Sequence, residues 1–262
     1  MRLDVFLVEN GYAASRQRAR LLIDSGCVFY NGAPAKKAAQ AVSAGDAVEV
    51  TGLPLAYVSR GALKLKAAFE VFSLSADGCA VLDIGASTGG FTEYFLERGA
   101  RLVYAVDAGS GQLAEKLLRD TRVISMEKYN ARALDPTDFP EPPSIAAIDV
   151  SFISQTLILP AAARVLAPCS ILVSLIKPQF EAGRAYVGKG GIVRSSAARV
   201  LAIRRVLASA AESGFSFCGL IASPIAGGDG NTEYLACFSK GDALPVVSEP
   251  SDERLARTVG QK

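Results

Sequence analysis

Four polar residues fall where short apolar runs end: Asp83 after Val81-Leu82, Asp107 after residues 102–106, Asp149 after residues 145–148, and Lys177 after residues 171–176. If those runs are strands of one α/β sheet, the four share a rim, and ligands of such sheets bind outside the carboxyl ends of the strands. A glycine-rich turn follows the first of them: Asp83-Ile84-Gly85-Ala86-Ser87-Thr88-Gly89-Gly90-Phe91-Thr92. Glycine lets the backbone approach a ligand that a Cβ would hold off. The chain has no histidine, which removes Ser-His-Asp and Cys-His catalysis and the commonest metal ligand. Any general base is therefore Lys, Asp, Glu, Tyr or Cys. The chemistry open to this rim is a ligand held at the glycine turn, acids that orient it, and a side chain that moves a proton. One acid at a strand end is common in ordinary loops; four polar groups on one rim beside a glycine turn argue for a site.

The glycine spacing narrows the ligand. Gly85 and Gly89 are four apart with no glycine between them, so the turn is not the dinucleotide fingerprint, and no Lys-Ser/Thr follows to make a P-loop. Asp83-x-Gly85-x-x-x-Gly89-Gly90 instead resembles the S-adenosylmethionine loop of Rossmann-like methyltransferases, which implies cofactor contacts along residues Gly85-Ala86-Ser87-Thr88-Gly89-Gly90-Phe91. The alternative is a purely structural strand-to-helix turn. Asp107, after the second strand, can accept both hydroxyls of a ribose; its rival role is to cap a helix over residues 112–118. Asp83 would order the turn or reach the methionine end of the cofactor. Asn130 follows the third strand and joins the same rim.

The elements that must position these residues are legible as an alternation. Residues 62–72 carry a helical apolar face. Strands are expected at 79–84, 102–106, 123–126, 145–148 and 171–176, with helices at 157–166 and 197–211, and closing strands at 217–221 and 234–238. This predicts a doubly wound, mostly parallel sheet; an antiparallel last strand is not shown by the pattern and is only what the resemblance to methyltransferases implies. Half of the 262 residues are apolar, enough for a substantial core without staples. Five scattered cysteines form no C-x-x-C pair, which argues for a reduced, cytoplasmic protein with no zinc site. No run approaches the ~18–20 apolar residues of a membrane span. With a net charge of only +2, nucleic acid must be met by local basic clusters. The tail from 241 to 262, with Pro245, Pro250 and mixed charge, reads as poorly ordered.

Residues 1–50 read as a separate small α+β module, joined by a linker at 51–58 to a second domain at 59–240. A helix over 3–8 ends at Gly11. Ser15 can cap a second helix with Leu21, Leu22 and Ile23 on its apolar side and Gly26 beyond its end. A strand at 27–30, a turn at Asn31-Gly32 and a strand at 47–50 complete it. Arg16 and Arg20 share a helix face, Arg18 does not, and Lys36 and Lys37 follow the hairpin; a solvated charged surface is the plain alternative. Arg2-Leu3-Asp4, Gly11, Ser15-Arg16, Ala19, Leu22-Ile23, Gly26, Val28 and Asn31-Gly32 are similar to the S4-like (alpha-L) RNA-binding domain. The resemblance implies that Arg2, Arg16, Arg20, Lys36 and Lys37 face structured RNA, contacts that position more than they specify.

A second resemblance covers the larger domain. Ser59-Arg60-Gly61-Ala62-Leu63-Lys64-Leu65, Asp83 to Thr92, Asp149-Val150-Ser151-Phe152-Ile153-Ser154, Lys177-Pro178-Gln179-Phe180-Glu181 and Asn231-Thr232-Glu233-Tyr234 stand in the order found in ribose 2′-O-methyltransferases of the FtsJ/RrmJ type. Together with the N-terminal module they resemble the TlyA proteins, some of which are called haemolysins. That implies S-adenosylmethionine, no metal and no membrane; a partner in ribosomal RNA or ribosomal subunits; methylation of cytidine in 23S and 16S rRNA; and an RNA contact at Arg60. The family's Lys-Asp-Lys-Glu tetrad falls on Lys64, Asp149, Lys177 and Glu233. A ribose hydroxyl is a poor nucleophile while protonated, and the cofactor's methyl is already activated, so positioning and proton removal are the tasks left. Lys64 beside Lys177 would favour loss of a proton from Lys177, and the two acids would orient the lysines. Alternatives stay open: a surface salt-bridge cluster, a methyltransferase of another RNA, or a non-catalytic RNA-binding or ribosome-assembly factor. One departure is in the linker, where Leu55-Ala56-Tyr57-Val58 stands in place of the relatives' Arg-x-Trp-Val.

Overall fold

The computed structural model describes residues 1–13, 15–24, 26–51, 57–227 and 230–260, and the chain divides into two compact units, 1–60 and 61–262. Leu55 and Ala56 of the linker, and the side chain of Leu21, lie outside what is described.

In the first unit, α1 (Leu3–Glu9) and α2 (Arg16–Asp24) precede strands β1 (Val28–Tyr30), β2 (Ala33–Pro34) and β3 (Val48–Val50), in sheet order β2-β1-β3. Ser15 Oγ accepts from Arg18 N at 3.2 Å and so caps α2. Asn31 and Gly32 both have positive φ, as a two-residue hairpin with Tyr30 facing Ala33 requires. Leu3, Leu7, Ala19, Leu22, Ile23 and Val28 make the core.

The second unit is a seven-stranded sheet with helices. Its elements are α3 (Gly61–Val71), β4 (Ala80–Ile84), α4 (Gly90–Glu97), β5 (Leu102–Val106), α5 (Glu115–Leu118), β6 (Val123–Met126), β7 (Ile145–Ile148), α6 (Leu159–Val165), β8 (Ser170–Ile176), α7 (Pro178–Glu181), α8 (Ser196–Glu212), β9 (Ser216–Ala222), β10 (Tyr234–Lys240) and α9 (Asp252–Gly260). The order is β6-β5-β4-β7-β8-β10-β9; neighbours are parallel up to β8, and β10 is antiparallel to both β8 and β9. Strands β4 and β7 are buried along their whole length, as expected for a sheet covered on both faces.

Two expectations give way. The tail does not lack structure: α9 buries Leu255 and Val259, and Arg204 of α8 pairs with Asp252 at 2.8 Å. Two apolar residues four apart form a one-sided stripe that composition, dominated by prolines and charges, conceals. Asp83 does not end its strand but lies within it, fully buried, since β4 runs one residue past it.

Candidate active site

The glycine turn is held from behind by Asp83. Its Oδ2 accepts from Thr92 Oγ1 at 2.7 Å, tying β4 to the first turn of α4, and its Oδ1 has no hydrogen-bond partner among the described residues. Burial pushes this carboxyl up to about 7; Thr92 opposes the rise and the charges of Asp149 and Asp107 add to it. Gly85 and Gly89 both have φ near +90°. A Cβ on Gly85 would collide with the main-chain oxygen of Asp149, and one on Gly89 with Leu117 of α5. The two glycines thus let the turn press against the loop after β7 on one side and α5 on the other.

In front of the turn lies a cavity of about 390 Å³, whose lining includes Gly85, Ser87, Asp107, Gln112, Asn130 and Asp149. That volume lies in the range of small-molecule sites. Asp107 accepts from Ser87 N at 2.8 Å and from Gly109 N at 2.7 Å. It fastens the glycine turn to the loop after β5; the N-cap position of α5 is Ala114 and no side chain caps it, so the helix-capping alternative for Asp107 does not hold. Asn130 Oδ1 accepts from Arg132 N at 3.1 Å. Tyr129 forms part of the wall; burial first, and its hydrogen bond to Asp138 second, push its phenol up to about 12. Of the residues expected at the cofactor, Gly85, Ser87, Asp107, Asn130 and Asp149 line the cavity, while Asp83, Ala86, Thr88, Gly89, Gly90 and Phe91 do not.

The four tetrad positions form two ion pairs. Lys64 on α3 reaches Glu233, just before β10, at 2.5 Å, and both side chains are buried. Lys177, just after β8, lies 2.6 Å from Asp149 Oδ1, just after β7, and donates to Ser151 Oγ at 2.9 Å. Each lysine therefore has an acid of its own. Tyr234 faces Ile176 in the β8–β10 ladder, so Glu233 and Lys177 occupy neighbouring positions one step beyond it. Asp149 and Ser151 line the cavity, which brings the Lys177 pair to its edge.

Several residues support this arrangement without having been singled out in the sequence. Ser151 stands inside a quoted motif but only its contact with Lys177 shows its place. Glu181 is buried, accepts from Ser154 Oγ at 2.5 Å and Gln155 N at 2.9 Å, and so anchors the 149–155 segment; burial raises its carboxyl above the usual range. Phe152 in that segment has φ +65°, is 93% exposed and leans on Phe180. A bulky residue held in the left-handed region and facing solvent beside a cavity is costly unless used.

In the first unit the basic residues are organised by an acid. Asp4 is fully buried; Arg2 meets it at 2.9 Å, Arg16 at 2.9 Å and Arg20 at 3.9 Å, while each arginine stays about half exposed. Arg2 above all, with Arg16, holds the Asp4 carboxyl well below the usual range against the opposing effect of burial. Lys36, Lys37 and Arg60 are exposed. The sequence pointed to Arg2, Arg16 and Arg20 but gave no role to the buried carboxylate between them, because the contact joins residues of two different helices.

Known proteins agree with this construction. Residues 57–240 match the FtsJ-like methyltransferase family and residues 1–48 match the S4 domain. The 16S/23S rRNA (cytidine-2′-O)-methyltransferase TlyA of Mycobacterium tuberculosis is 45% identical over 234 residues, covering 89% of this chain and 87% of that protein. Hemolysin A of Brachyspira hyodysenteriae is 44% identical over 239 residues, 91% of this chain and 99% of that one. A solved structure carrying the hemolysin name, from Streptococcus thermophilus, superposes with a TM-score of 0.76 at 45% identity, covering 99% of this chain and 94% of the other. A buried lysine pair at the rim of a seven-stranded sheet, preceded by a small basic module, thus has its place: the chain belongs to the FtsJ-like methyltransferase family and carries an S4 domain ahead of the methyltransferase unit.

Proposed function

We propose that the protein methylates ribose 2′-hydroxyls of ribosomal RNA, at cytidine as the name of the mycobacterial relative has it, using S-adenosylmethionine in the cytoplasm. The observation that carries this reading is the Lys177–Asp149–Ser151 group at the edge of the 390 Å³ cavity in front of the glycine turn. The cavity suits the cofactor: Asp107 and Asn130 offer acceptors for a ribose, Gly85 gives close backbone approach, and the buried Asp83 holds the turn in place from behind through Thr92. When bound, the cofactor supplies a methyl group activated by its sulfonium.

The remaining work falls to side chains. Lys177 Nζ takes the proton of the 2′-hydroxyl after releasing its own. Asp149 can only accept from that nitrogen, so it holds the charged form. Ser151 Oγ can accept from an ammonium or donate to a neutral amine, so it keeps Lys177 oriented in both states. Lys64 and Glu233, buried together, hold the neighbouring end of β10 and place a cation near the developing alkoxide. Phe152 offers an exposed ring on which a base can stack. Arg2, Arg16 and Arg20, set around Asp4, together with Lys36, Lys37 and Arg60, take RNA phosphates.

Ribosomal RNA from cells with and without the protein is the test. Reverse-transcription or hydrolysis mapping should show ribose methylation at cytidine only where the protein is present. An unchanged methylation map, with RNA still bound, would make the chain an assembly or binding factor instead.

A further inference from the structure

Between Glu181 and Glu212 there is no acidic residue, while six positions are basic: Arg184, Lys189, Arg194, Arg199, Arg204 and Arg205. Three of these charges are engaged inside the unit. Arg199 donates to the carbonyls of Val193 and Val259, Arg204 pairs with Asp252, and Arg205 donates to the Glu181 carbonyl. The other three, Arg184, Lys189 and Arg194, are exposed on the loop between α7 and α8, and among the described residues no carboxylate pairs with any of them. Tyr186 stands between the first two, 49% exposed.

This loop is tied to the catalytic rim at both ends. It leaves from α7, which begins at the residue after Lys177. It returns past Asn231, whose buried Oδ1 accepts from Val193 N at 2.9 Å and whose Nδ2 donates to Gly191 O at 2.9 Å. Asn231 lies two residues before Glu233. Gly190 and Gly191 both have positive φ, and a Cβ on either would meet no other atom of the chain. The loop therefore presents open backbone, three unpaired cations and one aromatic ring. Isolated surface cations are ordinarily just solvated; cations without acids, interleaved with an aromatic and fixed beside a catalytic group, fit a nucleic-acid strand.

We propose that the 183–194 loop is an RNA-contact surface of the methyltransferase unit itself, in which Arg184, Lys189 and Arg194 take phosphates of the strand flanking the target nucleotide. The inference rests on the rRNA methyltransferase reading. Its consequence is that the catalytic unit grips substrate next to the reacting ribose independently of the S4 domain.

The test uses the full chain and protein-free rRNA transcripts over a range of salt. Replacing all three with alanine (Arg184→Ala, Lys189→Ala, Arg194→Ala) should flatten the plot of log affinity against log salt by about 2–3 units, and weaken binding roughly 50-fold near 0.15 M salt. The double exchange Arg184→Lys with Arg194→Lys should keep the slope, because a phosphate contact needs charge. Cofactor affinity by calorimetry and the single-turnover rate at saturating RNA should stay near wild type, which separates a docking surface from a distorted site. An unchanged slope in the alanine variant overturns the proposal while the wild-type enzyme still methylates. Normal binding to naked RNA with lost activity on intact subunits overturns it in favour of a ribosomal-protein contact. A wild-type chain that neither binds nor methylates rRNA removes the reading beneath it as well.

Discussion

Replacing Asp83 with asparagine probes how the glycine turn is held. The carboxyl is fully buried, and burial raises it from 3.8 to about 7. A folded-state value above the unfolded one means that the native protein keeps a proton the unfolded chain has lost between about pH 4 and pH 7. The stability associated with this group is complete below about pH 4 and is lost as pH rises through 7. About three pH units at 1.36 kcal/mol each amount to roughly 4 kcal/mol, an order of magnitude for a group with no solvent exposure. Asparagine does not ionise, so this loss disappears. Its amide oxygen can still accept from Thr92, while its NH₂ group falls where Oδ1 has no partner, an offset of about 1–3 kcal/mol that does not vary with pH. The slope is therefore the informative quantity. Urea unfolding followed by far-UV circular dichroism, without cofactor and with matching m-values, should show Asp83→Asn gaining about 4 kcal/mol on wild type between pH 4 and pH 8. A difference that stays flat would mean that Asp83 ionises at an ordinary pH despite its burial.

Two further substitutions address the cofactor cavity and the S4 domain. Asp107→Ala frees the Ser87 and Gly109 amides and removes the ribose acceptor, so calorimetry should show about 10–100-fold weaker S-adenosylmethionine binding; wild-type affinity would show that the rim acid takes no part. Asp4→Asn leaves Arg2, Arg16 and Arg20 around a neutral group, and the first unit should lose about 1–3 kcal/mol at neutral pH; the loss shrinks as pH falls below about 4, where the unfolded chain takes up the proton, and is gone only once the folded carboxyl, held well below the usual range, is protonated too. That variant also gains one positive charge, so a rise in RNA affinity would mean that net charge alone governs binding, whereas the geometry here calls for a fall.

The glycine turn, the strand-end residues and the alternation of elements were readable because each depends on local pattern: an apolar run, a breaker, a helical face. The two-helix module with its Asn31-Gly32 hairpin was readable for the same reason. What stayed hidden depends on where residues far apart in the chain meet. Asp4 is one letter of a motif in the sequence, and only the fold brings Arg2, Arg16 and Arg20 around it. Glu181 and Asn231 are single polar letters in the sequence, and only packing makes them anchors of the 149–155 segment and the 183–194 loop. Gly85 appeared to make room for a ligand alone; in the fold a Cβ there would strike the Asp149 carbonyl, so Gly85→Val would disturb the site's own backbone as well as the cofactor. The pairing of Lys64 with Glu233 and of Lys177 with Asp149 follows from strand order and register, which residue types do not encode.

The role proposed for Lys177 is removal of the 2′-hydroxyl proton. Single-turnover methyl transfer from labelled S-adenosylmethionine to ribosomal subunits, with wild type, Lys177→Ala and Lys177→Arg at saturating cofactor and RNA, tests it most directly. Lys177→Ala should transfer methyl about 10²–10⁴-fold more slowly with cofactor and RNA binding retained, and Lys177→Arg should fail as well, because a guanidinium pairs with Asp149 but accepts no proton. Near-normal transfer by Lys177→Arg would contradict it, and would leave Lys177 a fixed positive charge.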